Sequence, residues 1–238
     1  MPGLKSHISD LKSKSFAIIV AGGTGSRMQS ALPKQFLELN GKPVLMHTLE
    51  AFAASTSAPT LILVLHADFH GLWKELCAVH NFSVKHLLLA GGETRFHSVK
   101  NAIDYITDTD VLIAVHDAVR PLISPVVIDE AYSTAQAQGS AVVAVKSRDS
   151  VRQTTGTTSQ ALNRDSIYLV QTPQTFQSGL LKQAYKQPYT SNFTDDASVV
   201  EQLGHDIQLV EGNHTNIKIT FPEDIAIAEA ILNKKPSA

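Results

Sequence analysis

The chain has a single cysteine, Cys77, among 238 residues. One thiol cannot close an internal disulfide or build a zinc cluster, so stability must come from packing. A surplus of one charge is missing too: 20 Lys plus Arg stand against 22 Asp plus Glu, a formal net charge of −2. That balance excludes a broad electrostatic footprint for nucleic acid or an anionic membrane, so any anionic ligand must be caught locally. No apolar run approaches the roughly 20 residues that span a bilayer. The opening MPGLKSHISDLKSKS lacks the apolar segment of a secretory signal. These absences lead us to expect a cytoplasmic protein with a polar extension over residues 1–15, engaging neither nucleic acid nor membrane. Repeats and low-complexity tracts are absent as well.

What is present is length enough for one sizeable domain and a series of short Val/Ile/Leu runs. FAIIVA begins at Phe16, TLILVLH at Thr60, HLLLA at His86, VLIAVHD at Val111 and SAVVAV at Ser140, with IQLVEG and NIKIT later. Continuous rather than alternating runs predict strands covered on both faces. Between them, Leu45, Leu49 and Phe52, or Phe96, Val99, Ile103 and Ile106, recur at the spacing of one helix face. Leu72, Leu76 and Val79 place Cys77 on a buried helix face in the same way. Alternating strand and helix predicts an α/β fold with a mostly parallel central sheet. SRDSVRQTTGTTSQALNRD, about residues 147–165, breaks the rhythm: it is polar, with Gly156 at its centre and β-branched residues on either side, a hairpin pattern. A lone two-stranded hairpin is marginal in water. Either this arm is a mobile loop or it packs on another subunit, and the second is favoured.

The chemistry concentrates at the ends of the runs. AGGTGSRMQSALPKQ follows the first predicted strand, and ligands of open α/β sheets bind beyond the carboxyl ends of strands. Gly22, Gly23 and Gly25 suit a loop whose N–H groups close around phosphate, although a tight turn explains them as well. The loop has no Gly-Lys-Ser/Thr, and Met28 stands where a dinucleotide loop has its third glycine. Arg27 and Lys34 supply a planar fork and a point charge, the pair phosphoryl transfer needs; solvated surface charge is the alternative. VLIAVHDAVRP ends a predicted strand at His116, Asp117 and Arg120. Asp117 there suits Mg²⁺, directly or through water, or the capping of a turn. His116 reads as a packed structural histidine rather than a base. In AGGETRFHSV, Gly91 and Gly92 permit close approach of a flat base, Glu93 and Ser98 offer polar contacts, and a helix opens near Thr94. TDDASVVEQLG reads as a helix N-terminus at Thr194, whose two acids either serve the helix dipole or bind polyol hydroxyls. Thr220 and Glu223 of NIKITFPED read as a capping box. Lys218 lies on the strand before it, facing away from Ile217 and Ile219.

In this order AGGTGSRM, PKQFLELNGKPVLMHTL, GGETRFHSV, HDAVRP, QTPQTF, TDDASVVEQLG and NIKITFPED resemble the 2-C-methyl-D-erythritol 4-phosphate cytidylyltransferases of non-mevalonate isoprenoid synthesis. The resemblance implies a Rossmann-like nucleotidyltransferase domain over residues 16–235 and a homodimer whose β-arm reaches the partner. It implies a reaction of CTP with the polyol phosphate, supported by Mg²⁺. It assigns Arg27, Lys34 and Lys218 to the triphosphate and the transition state. Ala21, Gly22, Gly23 and Ala118 fall to the nucleotide, and Gly92, Glu93 and Ser98 to cytosine and ribose. Asp117 comes between nucleotide and acceptor. Arg120 falls to the acceptor, and Thr194, with Arg164 from the neighbouring subunit, to its phosphate. A ribitol-5-phosphate cytidylyltransferase is the rival reading, having similar nucleotide motifs.

Overall fold

The computed structural model describes residues 14–21 and 32–234. In chain order the elements are β1 (Ser15–Ala21), a small hairpin of β2 (Glu38–Leu39) and β3 (Lys42–Pro43), α1 (Val44–Ala53), β4 (Thr60–Leu65), α2 (His70–Val79), β5 (Leu87–Ala90), α3 (Arg95–Tyr105), β6 (Leu112–Asp117) and α4 (Pro125–Gln138). Then follow β7 (Ser140–Lys146), β8 (Val151–Thr155), β9 (Thr158–Leu162), β10 (Tyr168–Gln177), α5 (Ser178–Ala184), α6 (Asp196–Glu201), β11 (Leu209–Glu211) and α7 (Glu223–Leu232).

Every residue of β1 is buried, as its unbroken apolar run requires. Alternate side chains leave opposite faces of a strand. Ala17 and Ile19 therefore pack with Leu45, Leu49 and Phe52 of α1, Trp73 of α2 and Ile128 of α4. Phe16, Ile18 and Val20 pack on the other face with Phe96, Val99 and Ile103 of α3, Leu181 of α5 and Val200 of α6. Each such aliphatic or aromatic side chain contributes about 1.5–3 kcal/mol on full burial, so the two-sided core fixes β1 at the centre. The sheet order is β11-β7-β10-β6-β1-β4-β5. β1 is parallel to β4 and β6, β4 to β5, and β7 to β11, whereas β10 is antiparallel to both β6 and β7. The chain leaves β1 towards β4 and β5, then returns to place β6 on the other side. This reversal opens a crevice at the carboxyl ends of β1 and β6.

Three expectations need correction. NIKIT is not a strand: Ile219 donates its backbone N–H to Val119 O at 2.9 Å, but the segment joins no ladder. The sheet instead includes β10, whose YLVQTPQTFQ is too polar, and too interrupted by Pro173, to read as a buried strand. The register shift between Val170 and Gln174 is what accommodates the proline in the ladder. The third concerns α2: Trp73 is its buried anchor, Cys77 is half-buried and Val79 is 68% exposed, so Val79 does not share the inward face.

The polar arm is the expected hairpin. β8 and β9 pair from Val151↔Leu162 to Thr155↔Thr158. Gly156 takes φ +64° in the turn, a conformation that disfavours side chains. The strands form a sheet of their own, and nearly all their side chains are exposed. At the arm's base, Tyr168, Leu169 and Val170 of β10 are each about half exposed, at 46%, 52% and 45%.

Candidate active site

Asp117 is the last residue of β6, opposite Val20 of β1 in the register, and the chain turns into the crevice as Ala118 donates to Val20 O at 3.0 Å. Asp117 N–H donates to Thr172 Oγ1 at 3.1 Å. The Thr172 hydroxyl donates in turn to His116 Nδ1 at 3.0 Å, while His116 Nε2 lies 3.2 Å from Arg120 O. A carbonyl oxygen only accepts, so Nε2 carries a proton, and in the neutral ring Nδ1 is left to accept from Thr172. Burial, only partly countered by the Arg120 carbonyl, pushes the His116 pKa down to about 3. With both nitrogens occupied, His116 holds the turn and offers no base, as its sequence context suggested.

Three cations converge on the Asp117 carboxylate. Lys218 Nζ is 2.7 Å from Oδ2, Arg120 Nε 3.7 Å from Oδ2, and Arg95 Nε 3.5 Å from Oδ1. Burial would raise the pKa of this acid, but Arg95, Lys218 and Arg120 outweigh it and hold the carboxyl well below the usual range. Arg120 is fixed from below, its Nη1 donating to Asn216 O at 2.8 Å. Buried Asn216 in turn donates to Gln171 Oε1 and Thr172 O, each at 3.1 Å. Lys218 has a side chain 41% exposed, so it faces the crevice with room to move.

The two sides of this centre are helix starts. On one, Thr94 caps α3, and Arg95 is its first residue. On the other, Asp195 caps α6 through a capping box with Ser198, so the cap lies one residue beyond the Thr194 expected from sequence. The Asp196 carboxylate, fully buried, receives Arg95 Nη1 and Nη2 at 3.0 and 2.7 Å and the Tyr185 hydroxyl at 2.6 Å. It is therefore not available to bind polyol hydroxyls. The start of α7 also differs from expectation. Asp224, rather than Glu223, accepts from Thr220 N and Phe221 N at 2.7 and 2.8 Å, and the helix starts at Glu223 with Pro222 as its cap, two positions later than a Thr220 cap implies.

Asp117, Arg120, Lys218 and Thr194 line one concavity of about 220 Å³ together with Arg95, Thr172, Gln174 and Asp195. Lys34 opens a 3-10 turn, Lys34–Phe36, preceded by Pro33. Its neighbour Gln35 is buried and donates to Ala21 O at 3.1 Å, tying this turn to the end of β1. Gly92 and Ser98 belong to the α3 entrance: Ser98 Oγ accepts from Gly92 N at 3.0 Å and donates to Thr94 O at 2.9 Å, while Glu93 is exposed. Ser98 is therefore a brace of the loop rather than an open contact. Arg164 begins an exposed turn at the arm's base, donating to Arg148 O at 3.4 Å, and is not among the residues lining the concavity. Gly22, Gly23, Gly25 and Arg27 lie outside the described residues.

Asp117 does not fit Mg²⁺ as a direct ligand. Both its oxygens already face cations, and a second carboxylate suited to complete a metal site is missing: among the described residues there is no cluster of three His, Cys, Asp or Glu. The centre suits a polyanion instead, because the half-exposed Lys218 can turn from Asp117 to phosphate oxygens while Arg120 stays in place beside it.

Residues 15–234 match the family model of 2-C-methyl-D-erythritol 4-phosphate cytidylyltransferase. The chain belongs to that family. The cytidylyltransferase of Bacteroides thetaiotaomicron is 50% identical over 219 residues, covering 92% of this chain and all of the relative. The cytidylyltransferase of Bacillus pumilus is 39% identical over 220 residues, covering 91% and 96%. Among solved structures, the Francisella tularensis cytidylyltransferase aligns with a TM-score of 0.76 at 32% identity, over 92% of this chain and 99% of that one. The 4-diphosphocytidyl-2C-methyl-D-erythritol synthase of Anaerococcus prevotii aligns at 0.80 and 28% identity, over 94% and 97%. The doubly wound sheet and its antiparallel β10 are thus the family's nucleotidyltransferase fold. No helix among the described residues is long and apolar enough to cross a membrane.

Sequence reasoning passed over Arg95, Thr172 and Asn216, and it read Asp196 without its partner Arg95. Arg95 carried a usable signal: a cation in the first turn of a helix opposes the dipole, so it needs a nearby anion to justify it. Thr172 and Asn216 carried none, since their value lies in which backbone groups they meet.

Proposed function

We propose that this chain transfers the cytidylyl group of CTP to 2-C-methyl-D-erythritol 4-phosphate, giving 4-diphosphocytidyl-2-C-methyl-D-erythritol and pyrophosphate. The observation that carries the reading is the set of cations around Asp117 at the sheet's reversal point, in a member of this family. An oxygen of the acceptor phosphate attacks the α-phosphorus. The new O–P bond forms as the bond to the bridging oxygen of the β-phosphate breaks, and pyrophosphate leaves with that electron pair. The nucleophile is already an anion, so no general base is needed, consistent with a neutral, fully bonded His116. The difficulty is bringing two anions together, and fixed cations reduce that repulsion and meet the charge that grows during displacement. Lys34 and Lys218, with Arg27, take this role. Gly92 and Glu93 form the loop that receives cytosine, while Arg120 and Thr194 face the acceptor. Mg²⁺ accompanies the triphosphate as its counter-ion.

The reading includes a homodimer in which Arg164 serves the neighbouring subunit's acceptor phosphate. Three features support it: Arg164 does not line its own chain's concavity, the arm's side chains are nearly all exposed, and Tyr168, Leu169 and Val170 form an exposed apolar strip at its base. Mixing Arg164→Ala with Lys34→Ala tests this, because hybrid dimers regain one intact site. Activity no greater than the sum of the two variants excludes a shared site.

Substrate identity is tested by pyrophosphate release from CTP with methylerythritol phosphate and, separately, ribitol 5-phosphate. The names of the relatives favour the first acceptor. Turnover with the ribitol compound alone overturns the assignment.

A further inference from the structure

We propose that Arg95 is a positioning residue that couples the nucleotide loop to the acceptor loop, so that CTP makes the chain bind its acceptor more tightly. The inference rests on the cytidylyl-transfer reading above. Arg95 directly follows the Gly91–Thr94 loop in the chain, and its guanidinium touches the other two site-forming segments: Asp196, which directly follows Thr194 and Asp195, and Asp117, which ends β6. Its two terminal nitrogens hold Asp196 at 3.0 and 2.7 Å, while Nε faces Asp117 Oδ1 at 3.5 Å. A planar fork bound in this way fixes an angle as well as a distance, which an ammonium group cannot do.

Both loops are rigidly joined to the helices that the fork connects. A Cβ on Gly92 would come within 2.5 Å of His97 Cβ and 2.9 Å of His97 C, so the base loop lies directly on the first turn of α3. A loop movement must carry Arg95 with it. On the acceptor side, Asp195 accepts from Ser198 N at 2.9 Å and from Gln174 Nε2 at 2.9 Å, and Gln174 Oε1 accepts from Ala197 N at 2.8 Å. Thr194 thus leads into a braced turn whose next carboxylate is held by Arg95. A buried ion pair is a poor device for stability alone, because an apolar replacement usually serves as well or better. As a link between two ligand loops it does what an apolar contact cannot, since its geometry has one solution.

Calorimetric titration of methylerythritol phosphate into the full chain, with and without the non-transferring α,β-methylene analogue of CTP plus Mg²⁺, tests the link. In the wild type, the analogue should tighten acceptor binding by about 5-fold or more, within the usual range of coupling between sites. Arg95→Lys should abolish the tightening and lower kcat at saturating substrates, while leaving analogue affinity within about 3-fold. Tyr185→Phe removes one bond to Asp196 but leaves the fork; it should lower Tm and keep both tightening and kcat. If Arg95→Lys fails to fold, Asp196→Asn serves in its place with the same expected loss. Wild-type tightening that persists in the variant overturns the inference. So does its absence from the wild type, or an equal loss in Tyr185→Phe. Failure of the underlying reading is separately visible: the wild type would then release no pyrophosphate from CTP and methylerythritol phosphate.

Discussion

Two aspartates, at opposite ends of the sheet, each hold a turn together by different means. Asp129 of α4 accepts four hydrogen bonds: from Thr56 N and Oγ1 at 3.0 and 2.9 Å, and from Ser57 N and Oγ at 2.8 and 2.6 Å. These neutral donors, chiefly those of Ser57, outweigh partial burial and hold its carboxyl below the usual range. Asp117 is depressed too, after the larger opposition of burial, but by Arg95, Lys218 and Arg120. Neutral donors satisfy a carboxylate completely and leave nothing for a ligand. Around Asp117 the partners are cations: Arg95 is shared with Asp196, but Lys218 and Arg120 pair with no other carboxylate among the described residues, and these charges are what a triphosphate and an acceptor phosphate can use. A depressed pKa is thus common to both ends, and the partner type separates scaffold from site.

The comparison breaks if cations at the Asp117 end prove to be scaffold. Lys218→Ala and Lys34→Ala should each lower kcat by about 10²–10³-fold, the usual consequence of losing a donor that meets transition-state charge. For Lys218, whose side chain is 41% exposed, Tm should stay near the wild-type value. Steady-state pyrophosphate release and a thermal melt decide this together. Near-native turnover at saturating CTP removes either lysine from the mechanism, and a large fall in Tm with Lys218→Ala assigns it to the scaffold.

At the other end the effects should invert. Asp129→Ala leaves four donors without their shared acceptor and should cost on the order of 3 kcal/mol, since hydrogen bonds to charged groups are the stronger ones and water replaces them in part. Urea denaturation measures the loss, and kcat should be unchanged at a temperature where the variant is folded. A variant that loses turnover while keeping its stability contradicts the division.

How far the sequence revealed this division depends on what each residue does. Strand and helix alternation was legible because β1, β4, β6 and β7 are covered on both faces and must be apolar throughout. β10 was not, since Gln171, Thr172 and Gln174 are buried by bonding to the site rather than by being apolar. Asp117 and Arg120 could be picked out as charges at a strand end and Lys218 as a charge inside an apolar run, and the structure brings them together. Arg95 and Asp196 form a pair 101 positions apart, and nothing local to either residue identifies its partner. In sequence, a carboxylate at a strand end such as Asp117 looks alike whether cations or an open face surround it, so the ring of cations around it was not legible there.

The pH response offers the finest test of the contrast, because its window separates the two aspartates from the histidine beside one of them. Carboxylates with depressed folded-state pKa values contribute stability that is present above the unfolded value near 3.9 and lost only as pH falls below it. Asp117 and Asp129 therefore add almost no slope between pH 7 and 5. His116 is the reverse case for a base: buried and neutral, with a pKa lowered to about 3 against about 6.5 unfolded. As pH falls through 6.5 the unfolded chain gains a proton that the folded one refuses, so stability drops progressively until pH nears the folded value. By pH 5 this linkage costs about 2 kcal/mol. Gln in place of His116 can still donate to the Arg120 carbonyl and accept from Thr172, but it cannot titrate. Whatever His116→Gln does to stability at pH 7, its further loss on going to pH 5 should be smaller than the wild type's by about 2 kcal/mol. Equal losses in paired urea titrations would mean that His116 binds its proton while folded, and that the neutral brace beneath Asp117 is the wrong description of that turn.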